Sequence, residues 1–95
     1  MKYPFMTRND GTEITFSDIK IIDDNEQVEV YFERWSKEHN DFDYLRVKLP
    51  GGIIVDGNGF GDVEKTNFVS MSLQYEPLFF KFAKQGGIGN RAEAV

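Results

Sequence analysis

The chain has 95 residues, 40% apolar and 15% aromatic, with 16 acidic against 11 basic side chains and a formal net charge of -5. A domain of this length buries only somewhat more than ~60% of its unfolded surface, which supports one core and leaves too little to enclose an organic cofactor as well, so no cofactor is expected. The absence of cysteine excludes disulfides, thiolate zinc sites, iron–sulfur ligation and thiol catalysis.

Phe5 to Arg8 and Thr12 to Phe16 flank Asn9-Asp10-Gly11, a short turn in which Asp-Gly supplies the backbone angles of a tight hairpin. Ile19 to Ile22 is a β-branched run, separated by Asp23 to Gln27 from the clearest strand, Val28 to Trp35. There Val28, Val30 and Phe32 alternate with Glu29, Tyr31, Glu33 and Trp35, the period of a half-buried strand. After the polar stretch Ser36 to Asp43, Tyr44 to Leu49 alternates again, with Leu45, Val47 and Leu49 inward and Tyr44, Arg46 and Lys48 outward. Pro50-Gly51-Gly52 ends it, and Ile53 to Val55 reads as a short edge strand or as part of one long connection.

From Asp62 the period changes. Asp62 is a candidate N-cap with Glu64 in the first turn, although the apolar residues that follow form no clean helical stripe. Pro77 suits the first turn of a second helix, where Leu78, Phe79, Phe82 and Ala83 recur at helical spacing before Gly86-Gly87. Phe5, Phe16, Phe32, Phe79 and Phe82 are assigned to the core, and the Phe79-Phe80 pair leaves one ring for a dimer contact. The expected fold is α+β, an antiparallel sheet of four or five strands with two C-terminal helices on one face. Residues 1–87 form its single domain and 88–95 a frayed tail.

The charge is unevenly distributed. Residues 10–43 hold 11 acids and 3 bases, a local -8, while the remainder carries +3. Such a surface repels a phosphate backbone, so direct nucleic-acid binding is not expected and a basic protein surface is the better partner. The plainer alternative is that the acids only keep the domain dissolved. No apolar run approaches the roughly 18 to 20 residues of a membrane span, and Met1 to Arg8 leads into no signal-peptide core, so a cytoplasmic location without membrane contact is expected.

His39 is the one histidine and lies in a polar turn; His39, Asp41 and Asp43 match no recognised ligand spacing, and no metal is predicted. In Asp56-Gly57-Asn58-Gly59-Phe60-Gly61-Asp62 a calcium loop would want an oxygen ligand where Phe60 stands, and a phosphate loop would want Gly-Lys-Ser or Gly-Lys-Thr. A strand-to-helix connection is the simpler reading. The serines lack a nucleophile-elbow context and the carboxylates a substrate cleft, so no enzyme is expected; a small enzyme using His39 is the weakest alternative. The best binding candidate is the outward strand face, where Tyr31 and Trp35 alternate with Glu29 and Glu33 beside the acidic Asp23, Asp24 and Glu26. The competing reading pairs Glu29 and Glu33 across strands with Arg46 and Lys48.

Asp10-Gly11-Thr12-Glu13-Ile14, Ser17-Asp18-Ile19, Val30-Tyr31-Phe32-Glu33-Arg34, Phe42-Asp43, Leu49-Pro50, Asn58-Gly59-Phe60 and Phe82-Ala83-Lys84-Gln85-Gly86-Gly87 together resemble a class of small uncharacterised bacterial proteins of plasmids, phages and conjugative elements. The shared motifs are turns, strands and a helix end, and none carries a catalytic residue. The resemblance implies a setting in which small acidic proteins include anti-restriction and anti-CRISPR inhibitors, DNA mimics that place carboxylates in the basic nucleic-acid channel of a defence nuclease. The expected function is therefore nuclease inhibition, with Asp23, Asp24, Glu26, Glu29 and Glu33 as acidic contacts and Tyr31 and Trp35 as anchors. The alternative is a non-catalytic interaction module or homo-oligomer.

Overall fold

The computed structural model describes residues 1–87; the expected frayed tail lies outside them. Strands β1 (Lys2–Thr7), β2 (Glu13–Ser17), β3 (Lys20–Ile22), β4 (Asn25–Ser36), β5 (Asp41–Leu49) and β6 (Ile53–Asn58) precede helices α1 (Asp62–Gln74) and α2 (Glu76–Lys84). All strand pairs are antiparallel, in the order β1-β2-β4-β5-β6, and β3 pairs only with the start of β4. The α+β architecture is the one the alternating strands and C-terminal helical spacing imply.

The long central strand β4 organises the sheet. It meets β5 along Val28 to Ser36, while its other edge meets β3 at Asn25 to Gln27 and β2 at Val30 to Glu33. Between those two partners the backbone N–H of Glu29 would lack an acceptor. The buried hydroxyl of Ser17 accepts it at 2.9 Å and itself donates to the Asp18 carbonyl at 2.8 Å, so the ladder continues across the gap.

Val28, Val30 and Phe32 on β4, Leu45, Val47 and Leu49 on β5, and Ile14 and Phe16 on β2 are all at most 1% exposed and share the face the helices cover. Phe68 of α1 stacks on Phe32 at 4.5 Å and meets Phe60 edge-on at 5.1 Å. Phe79 of α2 meets Phe5 at 4.4 Å and Phe16 at 5.6 Å. Burial contributes roughly 1.5–3 kcal/mol for each such ring, and favourable ring pairs add about 0.5–1.5 kcal/mol. Phe80 also packs against this core and is only partly buried.

Three local expectations are revised and one open alternative is decided. The β3–β4 connection is two residues, not five: Asp23 and Asp24 have φ of 52° and 64°, the pattern of a type I′ turn, and Asn25 to Gln27 belong to β4. The polar stretch shrinks to a turn at residues 37–40, because β5 already begins at Asp41. Ile53 to Asn58 is an edge strand rather than a long connection. Gly61, not Asp62, is the N-cap of α1; Asp62 is its first residue, and no side chain caps the helix. At the other end, Gly86 and Gly87 stop α2 at φ of 75° and 101°, with the Gly87 N–H donating to the Phe82 carbonyl at 2.8 Å.

Candidate functional site

The two helices cover one face of the sheet, and alternation along β4 and β5 sends Glu29, Tyr31, Glu33, Trp35, Phe42, Tyr44, Arg46 and Lys48 to the other. Register sets these side chains in rows. Trp35 faces Phe42, Glu33 faces Tyr44, Tyr31 faces Arg46 and Glu29 faces Lys48, and β6 extends the rows with Asn58 beside Tyr44 and Asp56 beside Arg46.

The residues expected to form one acidic contact set are divided by this geometry. Asp23 and Asp24 occupy the exposed β3–β4 turn, roughly 36 Å or more along the chain from Trp35 at ~3.3 Å per residue. Glu26 lies on the helix side of β4 and reaches the Lys84 ammonium of α2 at 3.5 Å. Glu29 is mostly buried and bonded to Lys20 at 2.8 Å and to the Tyr31 hydroxyl at 3.0 Å, with Arg46 at 3.8 Å. Glu33 binds Lys2 at 3.0 Å. Only Glu29, Tyr31, Glu33 and Trp35 therefore share the open face, and both of its β4 carboxylates have cations of their own.

The pairing across strands differs in detail from the expected one. Lys20, from the neighbouring β3, and Lys2, distant in sequence, provide the closest contacts to Glu29 and Glu33, while Arg46 is a longer partner of Glu29. Burial alone would raise the Glu29 carboxyl, but its bonds from Lys20 and Tyr31 hold it below its ordinary value. Burial and the Glu29 bond push the Tyr31 phenol up to about 12, so Tyr31 stays a neutral donor.

Trp35 is 51% exposed and Phe42 is 53% exposed, and their rings meet edge to face at 5.4 Å. Phe42 was hidden in the polar stretch of the sequence. The signal that locates it is the continued alternation Phe42, Tyr44, Arg46, Lys48, which extends β5 backwards. Next to this pair, Lys2, Tyr31, Glu33, Tyr44, Leu45, Arg46 and Asp56 line a depression of about 300 Å³. The Lys2 ammonium lies 4.2 Å from the centroid of the Tyr31 ring, and the Tyr44 hydroxyl donates to Asp56 at 3.3 Å. Lys2, Tyr44, Arg46 and Asp56 had no place in the expected contact set.

Near the Trp35 end, His39 Nδ1 meets the buried Asp43 carboxylate at 2.7 Å, and that bond raises the imidazole pKa above its ordinary 6.5. Gly59 makes room for this carboxylate: its φ is +98°, and a Cβ there would fall 2.0 Å from Asp43 Oδ1. The glycine-rich segment thus serves close packing beside Asp43. The adjoining depression is lined by His39, Asp41, Phe42, Asp43, Asn58 and Gly59, without a hydroxyl or thiol side chain to act as nucleophile. Among the described residues no group of three or more His, Asp or Glu is placed to hold a metal ion, and no helix is long and apolar enough to cross a membrane. No protein-family model, curated protein or solved structure matches the chain.

Proposed function

We propose that the chain is a non-catalytic binding domain that engages a protein with a basic surface through the open face of its sheet. The finer reading is inhibition of a bacterial defence nuclease, of the anti-CRISPR or anti-restriction kind, by occupying its nucleic-acid channel. The observation that carries the proposal is the exposed Trp35–Phe42 pair on the sheet face that neither α1 nor α2 covers, beside Glu38 and Asp41 at the β4–β5 turn, which have no ion pair among the described residues. Large rings bordered by charge supply the desolvated anchor and polar rim that protein interfaces use.

The source of the field shifts from the original set. Glu26, Glu29 and Glu33 are each matched by a lysine within 3.5 Å. Asp23, Asp24, Glu13, Glu38, Asp41, Asp56 and Glu76 have no ion pair among the described residues, and of these Glu38 and Asp41 border the Trp35–Phe42 pair. Electrostatic attraction of this type steers encounter and weakens with salt.

The test is inhibition of DNA cleavage by a panel of purified CRISPR effector and restriction nucleases. Stoichiometric inhibition of at least one enzyme is expected, weakening severalfold between about 50 and about 200 mM salt. It should be lost in the Trp35→Ala/Phe42→Ala double variant. Inhibition that ignores both changes would contradict the face, and no inhibition across the panel would contradict the nuclease reading.

Self-association is a second reading, favoured by β6. This edge strand exposes Ile53, Ile54 and Val55 at 52%, 45% and 44%. The opposite edge, β1, carries Pro4 and a register shift between Pro4 and Met6, both of which discourage further pairing. Sedimentation equilibrium would show a dimer that Ile54→Lys disperses; a monomer throughout the micromolar range would remove this reading.

A further inference from the structure

The depression between Tyr31 and Tyr44 contains the same pair of groups twice. On one side the Tyr31 ring and the Glu33 carboxylate hold the ammonium of Lys2, at 4.2 Å from the ring centroid and 3.0 Å from Glu33 Oε1. On the other side Tyr44 and Asp56 are joined by a 3.3 Å hydrogen bond, and no cation lies within ion-pair distance of Asp56 among the described residues. Register places Arg46 directly opposite Asp56, yet Arg46 forms its ion pair with Glu29, at 3.8 Å.

We propose that this depression is a recognition site for an arginine or lysine side chain of a protein partner, which enters between Tyr31 and Tyr44 and pairs with Asp56. Lys2 is the internal measure of its chemistry, since an aromatic face beside a carboxylate already captures an alkylammonium there. The proposal rests on the reading of the open face as a surface for a basic protein and specifies one contact of it. The volume of about 300 Å³ lies at the small end of ligand sites, suited to one side chain. Two features favour a cation over an anion. The Tyr31 ring already holds an ammonium over its face, and Asp56, unlike Glu33, has no ion pair among the described residues. Lys2 is half-exposed and held by one ion pair and one ring contact, so it competes with the incoming side chain at low cost.

The site can be tested without any nuclease by following the Tyr31 and Tyr44 ring resonances of the full chain while adding blocked peptides. One peptide contains arginine, a second contains lysine, and a third has neutral citrulline in place of arginine. Saturable shifts of both rings are expected with the two cationic peptides and none with citrulline. Asp56→Asn should weaken binding about two- to fivefold, the size of an exposed ion pair. Lys2→Ala should strengthen it severalfold by removing the internal competitor. Equal shifts with citrulline, no saturation, or indifference to Asp56→Asn would overturn the proposal; a Lys2→Ala variant that binds more weakly would overturn the competitor role. The ring spectrum of each free variant reports whether its face is intact. Peptide binding without nuclease inhibition would remove the nuclease reading and leave the site. Inhibition unaffected by Asp56→Asn would remove the site and leave the reading.

Discussion

The Arg34 guanidinium grips the Glu64 carboxylate through two parallel bonds, Nη1 to Oε2 at 2.8 Å and Nη2 to Oε1 at 2.9 Å, fastening β4 to the first turn of α1. Nη1 also reaches Asp10 Oδ2 at 3.1 Å and Thr12 Oγ1 at 3.2 Å, and the guanidinium lies 5.0 Å from the centroid of Phe60. The first β-turn, the central strand and the helix entrance thereby converge on one side chain. Because Gly61 offers α1 no side-chain cap, Glu64 also supplies the anion that its N-terminus favours.

A planar fork that makes this many bonds is not replaced by a lysine ammonium. Arg34→Lys is expected to destabilise the fold by about 1 kcal/mol and Arg34→Ala by about 2 kcal/mol, values kept low because the site is partly solvated. Urea unfolding measures both, and Arg34→Lys as stable as the parent would show that the fork geometry contributes nothing.

Phe68 is the one large apolar side chain of α1 that is fully buried, held between Phe32 and Phe60. Phe68→Ala should cost about 3–5 kcal/mol and release α1 before the sheet, seen as early amide exchange over residues 62–74. Uniform exchange across α1 and β4 in that variant would show that the helix and sheet open as one unit.

The β3–β4 turn separates stability from binding. Asp23 and Asp24 both hold positive φ, which Asn-Gly adopts more readily, so Asp23→Asn/Asp24→Gly should stabilise the fold by about 0.5–1 kcal/mol. The same change removes two unpaired acids and should weaken nuclease inhibition. Raised thermal stability with undiminished inhibition would mark these residues as turn formers only.

His39 gives a pH signature. Its hydrogen bond to Asp43 raises its pKa, so its stabilising contribution is fully present below pH 6.5 and disappears as pH rises through the higher folded value. An NMR titration should place His39 above 6.5, and Asp43→Asn should bring it back towards that value. A normal titration in the unmodified chain would contradict the pairing.

Alternation was sufficient to orient β4 and β5, because a two-residue period assigns each side chain to a face before any partner is known. Helix α2 was equally legible from Pro77, its apolar spacing and Gly86-Gly87. Helix α1 was legible from Asp62 and Glu64 at its start but not from apolar spacing: a single ring, Phe68, anchors it, and the buried Ser72 hydroxyl bonds back to the Phe68 carbonyl at 2.8 Å. The candidate face was visible as Tyr31 and Trp35, but its electrostatics were not. Lys2 neutralises Glu33 from β1, a strand whose neighbourhood only the strand order establishes, Lys20 neutralises Glu29 across the β3–β4 hairpin, and Glu26 turns to the helix side because β4 begins three residues earlier than Val28. Asp56 and Tyr44 meet because β6 pairs with β5.

The most direct measurement of the proposed function is hydroxyl-radical footprinting of the chain alone and with the nuclease it inhibits. Oxidation of Trp35, Phe42, Tyr31 and Tyr44 should fall in the complex, while the exposed helix residues Val63, Leu73 and Leu78 remain as reactive as before. Protection of the helix residues with the open-face rings unchanged would contradict the account.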